Sequence, residues 1–214
     1  MKTFFTFLLL SIATYNFAQE TIETNNDTDN AVVSIGETTM DQLHFDTVWR
    51  LYYVLPNQIG NSVYAEAYDA KFSLGTSFGL LEYSNFKLSV GFEFEQYNIT
   101  DVSKASNFDF ISKYAFFGIV SYDFHLGDNI MVVPQIGYGS SDIHHKMRSE
   151  RVANQGGTHF RVGCFGDYSL GNNFAFFIGI HYINSTFDVS TNDEFKKYFE
   201  KSNQLQLTLG IKVY

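Results

Sequence analysis

Hydrophobic and polar residues alternate with a period of two along most of the chain after residue 44. Successive side chains of a β-strand point to opposite faces of a sheet, so this pattern predicts amphipathic strands. The clearest example is the second limb of the segment 158–187, which has an apolar face made by Phe174, Phe176, Ile178, Ile180 and Tyr182. The first limb, residues 158–170, alternates in the same way. Gly171, Asn172 and Asn173 between the limbs predict a hairpin turn.

The same pattern predicts eight strands in all. They cover residues 44–54, a part of 63–83, 86–99, 110–124, 130–138, 158–170, 174–187 and 203–214. The fourth strand is apolar on both faces around residues 115–120, which leaves its register open. The fifth contains Pro134, which predicts a bulge or a weakly paired position because proline has no N–H to donate.

The connections between these strands alternate in length. Residues 84–85, 125–129 and 171–173 form short turns, whereas 55–62, 100–109, 140–157 and 188–202 form long polar loops. Short periplasmic turns and long outer loops are typical of outer-membrane barrels, and a dozen residues suffice for a tilted strand to cross a bilayer. We therefore predict an all-β fold for residues 44–214, an eight-stranded antiparallel up-and-down transmembrane β-barrel. The even strand number puts both of its ends in the periplasm.

The first residues have the three-part pattern of a secretory signal peptide. Lys2 is followed by an apolar run over residues 4–13, and Ala18 is a small residue suited to cleavage. We predict a signal peptide over residues 1–18 and a flexible, acidic periplasmic segment over 19–43. The formal net charge of −9 argues against nucleic-acid binding. Cys164 is the only cysteine, which excludes an internal disulfide, and no cofactor or metal site is predicted.

The charged positions of the strands fall on the faces opposite the apolar ones. In a barrel with its apolar face outward they point into the lumen. The predicted lumen network is Lys71, Lys87, Glu93, Glu95, Arg161, Asp167, His181 and Lys212. Buried charges need partners, and eight-stranded barrels are narrow, so we expect these groups to pair and fill the lumen without leaving an open pore.

The hairpin series and the ending LTLGIKVY resemble the small outer-membrane β-barrel proteins of Gram-negative bacteria, a porin-like family of the cell envelope. The resemblance implies a location in the bacterial outer membrane, in contact with membrane lipid and lipopolysaccharide. It also implies that the outer-membrane assembly machinery recognises the C-terminal strand by a terminal aromatic residue, here Tyr214. It transfers no catalytic residue.

Three functions are compatible with this pattern. The first is a structural or interaction role in which outer loops contact surface partners or lipopolysaccharide, with Lys146, Arg148 and Arg151 contacting lipopolysaccharide phosphates. The second is a lipid-modifying hydrolase or acyltransferase, which needs a nucleophile, a base and an orienting group close together. The candidates for that chemistry are Ser140, Ser141, Asp142, His144 and His145. The third is a secreted, soluble lipid-binding β-barrel, which requires an apolar lumen.

Overall fold

The computed structural model describes residues 43–105, 108–147, 150–171 and 173–214, without the side chains of 150–152. The predicted signal peptide and nearly all of the acidic segment lie outside these ranges. Eight long strands are present: β1 Trp49–Ile59, β2 Tyr68–Tyr83, β3 Phe86–Ile99, β4 Phe110–Tyr122, β5 Ile130–Met147, β6 Glu150–Ser169, β7 Phe174–Phe187 and β8 Lys201–Val213. The short connections lie at the periplasmic end and the long ones at the outer end.

The strands form one closed antiparallel barrel. Each strand pairs with the next in sequence, and β8 returns to β1 in continuous register from Trp49–Val213 to Ile59–Asn203. Two-residue strands, Leu43–His44 and Phe124–His125, extend the pairing of β2 and β5 at the periplasmic end. The predicted eight-stranded up-and-down barrel is confirmed.

The apolar faces point outward and the polar faces point into the lumen. Phe174, Phe176, Ile178 and Ile180 of β7 are exposed on the outer surface, while the alternate residues are buried inside. The open register of β4 is settled with Phe116 and Val120 outside and Phe117 and Ile119 inside. The hypothesis of a soluble lipid carrier is wrong, because its lumen would be apolar and its exterior polar.

Interior aromatic rings lie against glycines of neighbouring strands. A Cβ atom added to Gly75 would overlap the Tyr52 ring, and one added to Gly91 would overlap the Phe117 ring. Because glycine has no side chain, the aromatic ring can lie directly against the backbone of the neighbouring strand. The inward glycines of the predicted strands therefore serve packing inside the barrel.

The predicted long loop over residues 140–157 is wrong. β5 and β6 continue through it as a paired hairpin, with Ser140 opposite Thr158 and His145 opposite Ala153. This part extends beyond the apolar exterior, so its outward face is polar and its inward face mixes Ile143 with Ser141 and His145. The hydrophobic alternation therefore disappears although backbone pairing continues. Pro134 sits in regular register opposite Cys164, so of the two alternatives predicted there, a bulge or a weakly paired position, the bulge is wrong.

Three short helices occupy the other long connections: α1 Val63–Ala67, α2 Val102–Ala105 and α3 Asp193–Glu200. α1 lies in a region expected to contain strand, and it begins after Ser62, whose Oγ accepts a hydrogen bond from the Ala65 N–H at 3.4 Å. Within the described ranges, no helix is long and apolar enough to span a membrane.

Candidate functional site

The interior of the barrel carries a layered network of paired charges. In the layer nearest the outer end, Lys113 Nζ lies 3.1 Å from Glu95 Oε1 and donates to Gln204 Oε1 at the same distance. Gln204 Nε2 donates to Glu95 Oε2 at 2.9 Å, and the Tyr97 hydroxyl also donates to Glu95. Glu95 is fully buried. Of its partners, Lys113 belongs to β4, Gln204 to β8 and Tyr97 to β3, the strand of Glu95 itself. This layer therefore ties opposite walls of the barrel together.

The middle layer is built on Glu93. Its Oε1 lies 2.7 Å from Arg161 Nη2 and accepts a hydrogen bond from the Tyr52 hydroxyl at 3.0 Å. The Arg161 guanidinium also stacks on Phe117, with Cζ 3.9 Å from the ring centroid. Glu93 and Arg161 are each 1% exposed. A pair so enclosed depends on these contacts, because bulk water does not reach it.

The layer nearest the periplasm is built on Asp167. Its Oδ2 lies 2.8 Å from Arg50 Nη2 and 3.0 Å from Lys212 Nζ. The Arg50 guanidinium lies over the rings of Phe165 and Phe177, at 4.7 and 5.2 Å from their centroids. Asp167 therefore joins two cations that come from the two strands that close the barrel, β1 and β8.

Seven of the eight residues assigned to the lumen from the sequence face inward. Glu93, Glu95, Arg161, Asp167 and Lys212 form the layers described above, and His181 Nε2 contacts Gln135 Nε2. Lys87 lies lower, at the periplasmic mouth, where its Nζ is 3.2 Å from Asp123, 3.4 Å from Glu82 and 3.9 Å from Asp46.

The assignment of Lys71 to the lumen is wrong. Its side chain is exposed on the outside of the wall. The register between β2 and β3 shifts between Ala70 and Phe72, so Lys71 is the extra residue of a bulge. One inserted residue shifts the alternation of inward and outward side chains along β2. Lys71 therefore points outward, although alternation read from the sequence places it inward.

Several members of the network were not identified from the sequence. They are Arg50, Tyr52, Tyr97, Lys113, Gln204 and Gln206. Lys113 lies directly opposite Glu95 in the pairing of β3 and β4. An acid and a base at the same level of adjacent strands are the signal that identifies this pair once the register of β4 is fixed.

An apolar cap covers the outer end of the network. It consists of Val63, Tyr64, Ala67, Tyr68, Tyr97, Ala105, Ile111, Ile143 and Phe187, all buried. The three helices above it meet at Glu66, whose Oε2 lies 2.8 Å from Lys104 Nζ of α2 and accepts from the Tyr198 hydroxyl of α3 at 3.2 Å. The hydrogen bond from Lys104 lowers the pKa of Glu66 below its ordinary value.

The serine and histidine cluster of residues 140–145 does not form a triad. In the hairpin, Ser141 and His145 are buried on the inner face, whereas Ser140, Asp142 and His144 occupy the other face. The Ser141 hydroxyl instead contacts Nδ1 of His159 on β6 at 2.8 Å, and both residues are enclosed. Alternation along the strand separates these groups, so the five residues do not form the site that the alternative of a lipid-modifying enzyme requires.

Two of the three basic residues assigned to lipopolysaccharide, Lys146 and Arg151, lie on the paired strands of the same hairpin. Lys146 is half-buried, with Nζ 5.3 Å from the centroid of the Phe110 ring. Arg151 belongs to β6 and pairs with Lys146 across the hairpin, and Arg148 lies outside the described residues. In the described part of the chain, no three His, Cys, Asp or Glu side chains are grouped to hold a metal ion.

Comparison with solved structures finds the same architecture. Neisserial surface protein A is 14% identical over 81% of this chain and 99% of its own, with a TM-score of 0.55. Ail of Yersinia pestis is 9% identical over 81% and 99%, with a TM-score of 0.42. A major outer membrane protein of Thermus thermophilus is 12% identical over 77% and 99%, with a TM-score of 0.40. No protein-family model and no curated protein matches the sequence.

The similarity to the Neisserial protein shows a shared fold. That fold agrees with the closed strand order and with the apolar exterior, which only a lipid environment solvates favourably. The resemblance inferred from the hairpin series is confirmed at the level of architecture. The chain is an eight-stranded outer-membrane β-barrel, and its place is the bacterial outer membrane.

Proposed function

We propose that this protein has a structural or interaction role in the outer membrane and that its lumen is filled and does not conduct. The observation that carries the proposal is the lumen network, in which three carboxylates pair with four cations. The carboxylates are Glu93, Glu95 and Asp167, and the cations are Arg50, Lys113, Arg161 and Lys212. Groups that cross-link opposite walls oppose a continuous column of water, which supports a closed lumen.

The outer cap supports the same proposal. Its aromatic side chains cover the network from the outer end, with the Tyr64 and Phe187 ring centroids 5.4 Å apart and those of Tyr64 and Tyr68 5.6 Å apart. An ion entering from outside would have to displace these rings before reaching Glu95. An apolar constriction of this kind opposes ion passage because it does not hydrate an ion.

Conductance across a planar bilayer tests the proposal. We expect the refolded full-length barrel to show no stable channel steps. The comparison is a double variant, Glu93→Ala with Arg161→Ala, which removes the middle cross-link and is expected to raise leakage. Steady, uniform conductance of the unmodified barrel would show that the lumen is open and the proposal wrong.

The interaction role is assigned to the outer hairpin, the part of β5 and β6 from Ser140 to the turn at its tip. From Ser140 to Met147 the strand adds about 25 Å at the usual rise per residue, measured along its own direction. Its outward positions are polar, Lys146 and Arg151 pair across it, and Arg148 lies between them in the sequence. We infer that these three basic residues contact the phosphates of lipopolysaccharide, since guanidinium and ammonium groups donate strongly to phosphate oxygens.

Binding of purified lipopolysaccharide to the folded barrel tests this assignment. Replacing all three basic residues of the hairpin with glutamine is expected to weaken binding several-fold and to reduce its salt dependence. The matched control replaces Lys196 and Lys197 of α3, which are exposed on another outer loop. If both variants lose the same affinity, general charge attraction explains the binding and the assignment fails.

We further propose that the assembly machinery recognises the strand that ends at Tyr214. The Tyr214 ring is exposed and lies 4.4 Å from Lys212 Nζ, and its N–H donates to the Asn173 carbonyl at 3.1 Å. Tyr214→Ala is expected to slow insertion in cells while leaving refolding into detergent unchanged. Equal rates of insertion for both proteins in cells would contradict the proposal.

A further inference from the structure

The wall of the barrel is split between β1 and β2. Their pairing starts at Trp49–Phe78 and ends at Tyr53–Leu74, although β1 continues to Ile59 and β2 begins at Tyr68. By contrast, β1 stays paired with β8 along its whole length, and β2 stays paired with β3. The outer halves of the two strands therefore face each other without a ladder. Unpaired strand edges are costly in a membrane, so a split of this length calls for something that contacts them.

The sequence builds the split into both strands. The Val48 carbonyl accepts from the Gly79 N–H, so alternate residues of β1 from Val48 onward direct their backbone groups towards β2. Pro56 has this parity, and proline has no N–H to offer a neighbouring strand. On the other edge, the bulge at Lys71 displaces β2 from regular register. Both features prevent the two edges from closing.

A crevice of about 360 Å³ lies between the separated edges. Its walls on the outer surface are apolar, made by Tyr53, Leu55, Phe72 and Leu207, which belong to the lipid-facing exterior. Towards the outer end these residues are followed by Asn57 and Lys71, so the crevice lies where the apolar exterior gives way to polar residues. This is the level of lipid carbonyls and headgroups in the outer leaflet.

One charged donor lies in this crevice without a partner among the described residues. Ser73 lies at its inner end, on the lumen-facing row of β2 with Gly75 and Ser77, so its hydroxyl is not open to the membrane. Lys71 is exposed and forms no ion pair within the described ranges. The crevice has no acidic side chain in its lining, so its charge is positive.

We propose that the crevice binds one lipid of the outer leaflet that carries a phosphate. The acyl chain lies between Leu55 and Phe72, and the phosphate pairs with Lys71. The apolar walls select a chain already present in the surrounding membrane, and the ammonium group of Lys71 selects negative charge. The proposal rests on the membrane setting and on neither the filled lumen nor the outer hairpin.

The exterior offers a built-in comparison. A second depression of about 300 Å³ lies over Cys164, Gly166, Ile178 and Ile180, and no charged side chain lines it. Any lipid that merely fills a dent in the wall should occupy both places. A lipid should bind the crevice between β1 and β2 in preference to this depression only if the crevice recognises the lipid phosphate.

Photocrosslinking locates the lipid. The folded full-length barrel is placed in nanodiscs of phosphatidylcholine with a minor fraction of phosphatidylglycerol whose acyl chain carries a diazirine, and the crosslinked peptides are mapped by mass spectrometry. We expect crosslinks to concentrate in residues 53–57 and 70–73. Crosslinks spread evenly around the exterior, or concentrated at the second depression, would overturn the proposal.

Variants then test the recognition of the phosphate. Lys71→Gln is expected to lower the yield at the crevice several-fold for the phosphatidylglycerol probe, and Lys197→Gln, an exposed lysine of α3, to leave it unchanged. Leu55→Trp, which fills the crevice, is expected to lower the yield of the same probe, and heat-modifiable migration on a gel verifies that each variant is folded. Equal losses for Lys71→Gln and Lys197→Gln, or full yield with Leu55→Trp, would contradict the assignment.

Discussion

At the residue scale, the charged groups of the lumen depend on one another for partners. Glu93 contacts Arg161, Tyr52 and Gln206, and the whole group is enclosed. Removing one member leaves the others buried with nothing to replace it, because neither water nor lipid reaches them. The cost of such a change is therefore set by the group that remains as well as by the contact that is lost.

Glu93→Gln is expected to lower the free energy of unfolding by about 3–5 kcal/mol, since the Arg161 guanidinium remains buried without its counter-charge. Urea unfolding of the barrel in lipid vesicles, followed by tryptophan fluorescence of Trp49, measures the change. The matched control is Glu82→Gln at the periplasmic mouth, where the carboxylate is 35% exposed and 3.4 Å from Lys87. That change is expected to cost less than about 1 kcal/mol.

A double variant separates the charge from the packing. Combining Glu93→Gln with Arg161→Met removes both charges while keeping much of the volume, so it should be less destabilising than Glu93→Gln alone. If the double variant lost as much stability as the sum of its two single changes, the pair would not act as a unit and the account of the lumen would be wrong.

At the element scale, glycines set how closely interior rings approach the wall. Phe117 of β4 lies against Gly91 of β3, whereas the lipid-facing Gly118 has no atom near the position of an added Cβ. The two glycines therefore occupy neighbouring strands with opposite surroundings. Gly91→Val is expected to destabilise the barrel by about 1–3 kcal/mol, because the ring and the Arg161 stacked on it must move.

Gly118→Val is the control for that change and is expected to stay within about 0.5 kcal/mol of the unmodified barrel. Both variants are compared by the same urea unfolding in lipid vesicles. Equal losses of stability in the two variants would contradict the assignment of Gly91 to the crowded lumen face and of Gly118 to the open outer face.

Much of the element order follows from the sequence alone, because alternation is strong wherever one face meets lipid and the other meets the lumen. The signal fades where that contrast ends. Beyond the apolar exterior, residues 140–157 lack that contrast, so a paired hairpin reads as a loop. Lys71 was misplaced because alternation cannot reveal a bulge, and α1 was missed because five residues are too few for a helical period to show.

The outer helices should respond to acid through Glu66. Its pKa is lowered in the folded state, so the stabilisation from its contacts is present above the unfolded pKa of about 4.3 and is lost as the pH falls through the lower folded value. The protection of α1 and α2 amides, taken relative to their intrinsic exchange rate at each pH, should therefore hold at neutral pH and fall only in strong acid. Glu66→Gln should abolish this acid step, and an unchanged step in the variant would exclude Glu66 as its origin.

At the scale of the whole molecule, the barrel is arranged inside out relative to a soluble protein. The apolar stripes of its strands face lipid, and the ionic stripes are enclosed and paired. A closed strand order leaves no free edge except along the split between β1 and β2. Two of the proposals depend on this inside-out arrangement: the filled lumen and the lateral lipid site.

Thiol reactivity at three positions tests this arrangement most directly. In a Cys164→Ser background, single cysteines replace Thr208, which faces the lumen, Leu209, which faces lipid, and Ser190, which is exposed on an outer loop. Each is treated with a charged, water-soluble maleimide and with an uncharged, lipophilic one. The account predicts that position 190 reacts with both reagents, position 209 only with the lipophilic one, and position 208 with neither until the barrel unfolds. Reaction of position 209 or 208 with the charged reagent at the rate of position 190 would contradict it.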